Sequence, residues 1–198
     1  MLMAIQKKAG VFLILALAFF VAQAFSFLTK PNAGIIYRCS NGNVSFLSDA
    51  PLEDITATSK ELKGALDTEG RTFLFSVEVS TFQGFNSGLQ EEHFNENYLE
   101  TSRYPKVTFQ GKIVEDIDLA REGTYEVRAK GMLEIHGIRQ ERIIKGTITV
   151  HNEQLTVDAS FTVLLEDHDI KIPRVVYQKI SPEILITLHA EMERLIQN

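Results

Sequence analysis

Strict alternation of apolar and polar residues is the feature of this chain that leaves the fewest folds open. From Tyr125 to Ile135 the odd positions read Tyr, Val, Ala, Gly, Leu and Ile, and four of the five even positions between them are charged. From Leu155 to Leu165 every odd position is apolar, set against Thr156, Asp158, Ser160, Thr162 and Leu164. Successive side chains of a strand point to opposite faces, so each segment reads as a strand with one buried and one wet face. The pattern recurs in Phe73–Val79, Val107–Ile113, Ile144–Val150 and Ile184–Met192. Asn41-Gly42, between Ile35–Ser40 and Asn43–Ser48, predicts a tight hairpin, because Asn-Gly readily supplies two positive φ angles. Glu122-Gly123, His136-Gly137 and His151-Asn152 break the later strands, so Val107 to Leu165 reads as a four-strand meander. The total is about eight strands, antiparallel because the links are short. Strands of this kind form either a sandwich or a closed barrel.

One segment departs from the alternation. Leu89 to Glu100 places Phe94 and Tyr98 four apart, the spacing of neighbours on one helical face. The prediction is a short helix that ends before Tyr104-Pro105, since a proline holds its predecessor extended.

The N-terminus follows a different logic. Lys7 and Lys8 precede an apolar run from Ala9 to Ala22, and Ala22-Gln23-Ala24 closes it with small residues at a cleavage-site spacing. These are the parts of a secretory signal peptide, with cleavage expected after Ala24. The competing reading is an uncleaved anchor, because continuing the run to Leu28 gives 20 residues, enough to span a bilayer. Cleavage leaves residues 1–24 as the signal, 25–33 as a short lead and 34–198 as one domain, with no integral span. A chain of that size buries about 70% of its unfolded surface, so one core suffices. Cys39 is the only cysteine and cannot close a disulfide within the chain.

Charge and motifs remove several function classes. The net charge of −6 and the lack of a long basic run argue against nucleic acid, because phosphate binding needs clustered cations. There is no G-x-S-x-G, phosphate-binding loop, H-E-x-x-H or C-x-x-C pattern. His93 and Glu96 could share a helical face as metal ligands do, but nothing local completes a set of three or four. Asp167-His168-Asp169 reads as a solvated turn, and nothing positions a partner for a Cys39 nucleophile. No cofactor and no enzymatic activity are expected.

What remains is the inward face. One reading is a packed core; the other is a hollow barrel lined by Phe73, Phe75, Val77, Val107, Phe109, Tyr125, Val127, Leu133, Phe161 and Val163. An eight-stranded barrel is near the size at which side chains either fill the interior or leave room for one ligand. Inward Ala129, Gly131 and Ala159 would leave space mid-strand. A continuous cavity of several hundred Å³ would separate the two readings.

Glu92 to Glu100, Tyr104 to Ile113, Gly131 to Gly137 and Phe161 to Ile170 are four stretches that together resemble the YceI-like family. Ser45-Phe46-Leu47-Ser48 followed by Pro51-Leu52-Glu53 resembles the version in which an Ile-x-Ala strand comes next. The resemblance runs from about Ile35 to Leu188 in order and spacing. It implies an all-β fold: an antiparallel eight-stranded barrel of lipocalin-like shape, with the short helix over part of the mouth. It also implies a pocket for a polyisoprenoid or similar long lipid, such as a quinone, in a protein exported to the periplasm. True lipocalins carry a Gly-x-Trp, and this chain has no Trp, so that likeness is architectural. A polar lipid head would need polar groups at the mouth, for which the candidates are His93, Asn95 and Asn97 on the helix, His136 at a hairpin tip, and Arg142. Phe94 and Tyr98 would either gate the mouth or anchor the helix. A packed β domain serving as a stress-related interaction protein is the alternative, and the oligomeric state, monomer or dimer, stays open.

Overall fold

The computed structural model describes residues 34–195; the expected signal peptide and the lead up to residue 33 lie outside them. Eight strands form one antiparallel sheet: β1 (Ile36–Ala50), β2 (Glu53–Asp67), β3 (Thr72–Glu78), β4 (Lys106–Ile113), β5 (Gly123–Ile135), β6 (Ile138–His151), β7 (Gln154–Leu164) and β8 (Glu183–Arg194). Each pairs with its sequence neighbour, and β8 pairs with β1, so the sheet closes into a barrel. Closure removes both free edges, and the alternation then puts one row of every strand inside.

The strand count matches the sequence reading, but two strands differ. Ile35–Ser40 and Asn43–Ser48 are not a hairpin: they are halves of the single strand β1. Tyr37 and Cys39 point inward, whereas past Asn41 the buried positions are Gly42, Val44, Ser48 and Ala50. One extra residue has reversed the parity, which is what a β-bulge does. A second bulge follows in β2, where the buried positions change from Ala57 and Ser59 to Leu62 and Leu66. The two insertions offset each other, so register resumes at Val44↔Ser59. The eighth strand is therefore β2, whose only hint in the sequence was Ile55-x-Ala57.

The helical segment runs from Gly88 to Tyr98, as α1 (Gly88–His93) and then one wider π turn (Phe94–Tyr98). Ser87 caps it, its Oγ accepting from the Gln90 N–H. Glu100, in the left-handed region at φ 43°, ends the segment.

Turns and close approaches place the glycines. His136 and Gly137 both have positive φ, as a two-residue hairpin loop requires, and a Cβ on Gly137 would also strike the Tyr104 ring. Gly111 and Gly131 face each other on β4 and β5, and a Cβ on either would run into the opposite backbone. Gly131 thus permits close strand approach; it does not line the interior space.

One end of the barrel is filled. Leu66, Leu119, Ile148, Leu155, Ala190 and Met192 are essentially inaccessible there, and the link from 114 to 122 folds across with Leu119 inserted. The other end carries α1 and the long β7–β8 connection (165–182).

Candidate functional site

Above the filled end the inward rows do not meet. A narrow chamber of about 110 Å³ lies between Phe73, Phe75, Phe109, Val127, Ala129 and Ala159. A wide chamber of about 490 Å³ lies toward the α1 end. Val44, Val77, Val107, Leu133, Phe161 and Ile186 line both, so the two adjoin at a waist along the barrel. The wide chamber alone has the volume of a ligand pocket, and its walls are predominantly aliphatic and aromatic.

Four phenylalanines build the mouth. Phe46 of β1 stacks on Phe94 at 5.4 Å, and Phe82 and Phe85 close around the same ring at 5.8 and 5.1 Å. All four line the wide chamber. They also hold the helical segment, which has no fully buried residue of its own. Its N-terminal end is tied to the start of β2: Gln90 Nε2 donates to Glu53 Oε1 (2.6 Å) and Asn86 Nδ2, just ahead of the helix, donates to the Asp54 carbonyl (2.8 Å).

The β7–β8 connection forms the facing wall. Leu165, Ile170, Val176 and Ile180 turn into the chamber. The Leu165 N–H donates to the Pro182 carbonyl, the Ser181 N–H to Ser48 Oγ, and the Leu52 N–H to the Gln178 carbonyl. Lys179, His93, Glu53 and Tyr98 are the ionisable groups at the chamber's edge. Burial pushes the Tyr98 phenol above its ordinary range, so it stays a neutral hydroxyl.

The structure distributes the sequence candidates unevenly. Phe73, Phe75, Phe109 and Val127 line the narrow chamber, Val163 the wide one, and Val77, Val107, Leu133 and Phe161 both. Tyr125 points inward but sits at the filled end, where its hydroxyl lies within bonding distance of the Arg121 and Asp118 carbonyls. Of the polar candidates only His93 reaches the chamber. Asn95 is used locally, its Nδ2 donating to the Glu91 carbonyl and its Oδ1 accepting from Thr101. Asn97 is exposed.

Arg142 and His136 have structural partners. The β6–β7 ladder covers only Gly146–His151, so the strands part beyond Gly146. Arg142 bridges that opening, donating to the Thr162 carbonyl at 2.7 Å with Asp167 at 3.5 Å. His136 donates from Nδ1 to the His168 carbonyl and packs edge-on against Tyr104. His168 is fully buried and donates from Nδ1 to the Ile138 carbonyl; burial pushes its imidazole below the ordinary range, so it is neutral. The expected solvated turn at Asp167–Asp169 is thus built around a buried histidine.

Missed at the sequence level were Phe82, Phe85, Val176, Lys179 and Ile180. They lie in 3-10 turns and irregular chain, where no period marks the inward side.

The chain matches the model of the YceI-like domain over residues 39–192. Solved structures share the fold at low identity. A polyisoprenoid binding domain from Saccharophagus degradans, implicated in plant cell wall breakdown, superposes with a TM-score of 0.68 at 12% identity, covering 83% of this chain and 100% of that one. Burkholderia cenocepacia BcnA gives 0.62 at 16% identity, covering 76% and 95%. The Campylobacter jejuni YCEI protein gives 0.54 at 11% identity, covering 69% and 81%. No curated protein sequence matches this chain.

Proposed function

Because the chain belongs to the YceI-like family, we propose that it is a carrier that holds the apolar tail of a polyisoprenoid or similar long-chain lipid inside the barrel. The observation that carries this reading is the wide apolar chamber of about 490 Å³ adjoining a narrower one through a shared waist. A prenyl tail has no hydrogen-bonding groups, so its affinity comes from surface removed from water, at roughly 25 cal/mol per Å² before ordering costs. A tube of Phe, Val, Leu and Ile suits that ligand and would leave a sugar or a peptide with unpaired polar groups. The name of the Saccharophagus relative points the same way.

The tail runs from the mouth through the waist toward Phe73 and Phe109. The head, a quinone or a phosphate, stays at the rim beside His93, Lys179 and the Tyr98 hydroxyl. The signal peptide expected from Lys7 to Ala24 supports a periplasmic carrier, and holding a lipid away from water asks for binding without chemistry. The test is uptake of octaprenyl lipid by the protein and by Phe161→Asp, which puts a carboxylate at the waist. The parent should saturate at one lipid per chain and the variant should take up none. A folded Phe161→Asp protein that binds as the parent does removes the waist from the site.

A further inference from the structure

We propose that the β7–β8 connection is a docking surface for an anionic phospholipid bilayer, bringing the mouth of the barrel against the membrane. The inference rests on the carrier reading, since a lipid with a long tail must be collected from or delivered to a bilayer, but the observations behind it are separate. The first is where the exposed apolar side chains lie. The five most exposed large hydrophobic residues among those described are Val175 (92%), Leu52 (65%), Leu89 (59%), Ile143 (58%) and Tyr177 (56%). Four of the five belong to the rim. Val175 and Tyr177 flank Val176, which turns into the chamber; Leu89 lines the chamber from α1; and the Leu52 N–H is bonded to the Gln178 carbonyl. Alternate residues of one short segment thus face the cavity and the solvent.

The second observation is charge. The acids of the connection, Glu166, Asp167 and Asp169, all lie at its β7 end, where Asp167 is 3.5 Å from Arg142 and Asp169 is 3.3 Å from Lys171, whereas the rest of it, Ile170 to Pro182, contains Lys171, Arg174 and Lys179 with no acid. Apolar and aromatic side chains interleaved with cations are the composition of segments that lie in the interface of an anionic membrane. A tyrosine with its ring exposed suits the headgroup level. Lys171 lies 3.3 Å from Asp169, whereas Arg174 makes no ion pair among the described residues and is fully available to a phosphate. Glu91 and Glu92 on α1 are exposed acids, so the cations of the connection, and not the whole rim, meet the surface first. The third observation is polarity of the fold: the rim opens on the chamber, whereas the opposite end is filled. A bilayer against the rim therefore gives a tail a path into the barrel.

The absence of Trp from the chain makes the test direct. Tyr177→Trp puts a sole tryptophan on the rim, and Thr124→Trp puts one on exposed β5 at the filled end. Each exported protein, purified after signal cleavage, is mixed with vesicles of phosphatidylcholine, with or without phosphatidylglycerol, that include brominated lipid as quencher. Emission from the rim probe should shift to the blue and be quenched with the anionic vesicles only, while the probe at 124 stays water-like. Adding Arg174→Gln to the rim probe should lower partitioning about fivefold, the value of one cation at such a surface. A rim probe that stays in water, or that responds no more than the probe at 124, overturns the proposal. Uptake of detergent-dispersed octaprenol is measured on the same samples, which keeps the two readings apart. A filled cavity with a water-like rim probe sinks docking alone; a docked rim over a cavity that takes no lipid sinks the carrier reading alone.

Discussion

Truncating one ring should detach the helix from the barrel without unfolding it. Phe94 is the contact that holds α1 and its π turn in place: its ring lies 5.4, 5.8 and 5.1 Å from those of Phe46, Phe82 and Phe85. Aromatic pairs are each worth about 0.5–1.5 kcal/mol beyond their buried area, so Phe94→Ala removes about 3 kcal/mol from this docking. The segment cannot stand alone, since a helix shorter than about 12 residues is marginal in water and this one buries no residue completely. The loss therefore appears as local opening and not as global unfolding. By hydrogen exchange read by mass spectrometry, amides from Gly88 to Tyr98 should lose about a hundredfold in protection. Amides of β5 and β6, which are paired along the whole of β5, should change little. Lipid release should accelerate in the same variant, because the Phe94 ring lines the wide chamber. Unchanged protection of α1, or an equal loss across the barrel, would refute the assignment of Phe94 as the local anchor.

Other perturbations separate the roles of wall, anchor and charge. Ala159→Phe should fill the narrow chamber and shorten the preferred tail; displacing two methylenes costs about tenfold in affinity, at about 0.8 kcal/mol each, while shorter prenols bind as before. Ser59, fully buried, shares a hydrogen bond with Thr81 and accepts one from the Glu61 N–H. Ser59→Ala should cost about 2 kcal/mol and lower Tm by roughly 6 °C in a scanning melt. Two histidines should bend the pH profile in opposite senses. His168 is held below its ordinary range by burial, so the unfolded chain takes up the proton first and stability falls as pH drops through about 6.5. His189 is raised by its hydrogen bond to Asp158, so its smaller, solvent-screened contribution is present in acid and is lost as pH rises through the raised value. Urea titrations across that window should show a flatter acid loss in His168→Gln and a steeper one in His189→Gln.

How much the sequence discloses depends on depth as well as side. In β3 to β8 the alternation is unbroken, and Phe73, Phe109, Leu133 and Phe161 face the interior as their parity requires. Parity gives the side of the sheet but not the height along the barrel. Tyr125 has the right parity, yet its level is the filled end, where its hydroxyl meets carbonyls of the link. Arg142 has inward parity too, but the parting of β6 and β7 turns its guanidinium to the Thr162 carbonyl. In β1 and β2 the paired bulges reverse the phase within each strand, so one long strand resembles two short ones and its partner shows no steady period. The mouth is the least legible region. Phe82, Phe85, Val176 and Lys179 reach it from turns, and only contacts made across the fold bring them together.

The central claim is that the barrel carries a long-chain lipid, and native mass spectrometry of the purified protein tests it most directly. The account predicts a mass excess of one lipid per chain, which organic extraction identifies as a polyisoprenoid, a quinone or a related long-tailed molecule. A protein that is empty on purification, and that still takes up no added polyprenyl lipid, would contradict it and leave the barrel as an interaction domain without a stable ligand.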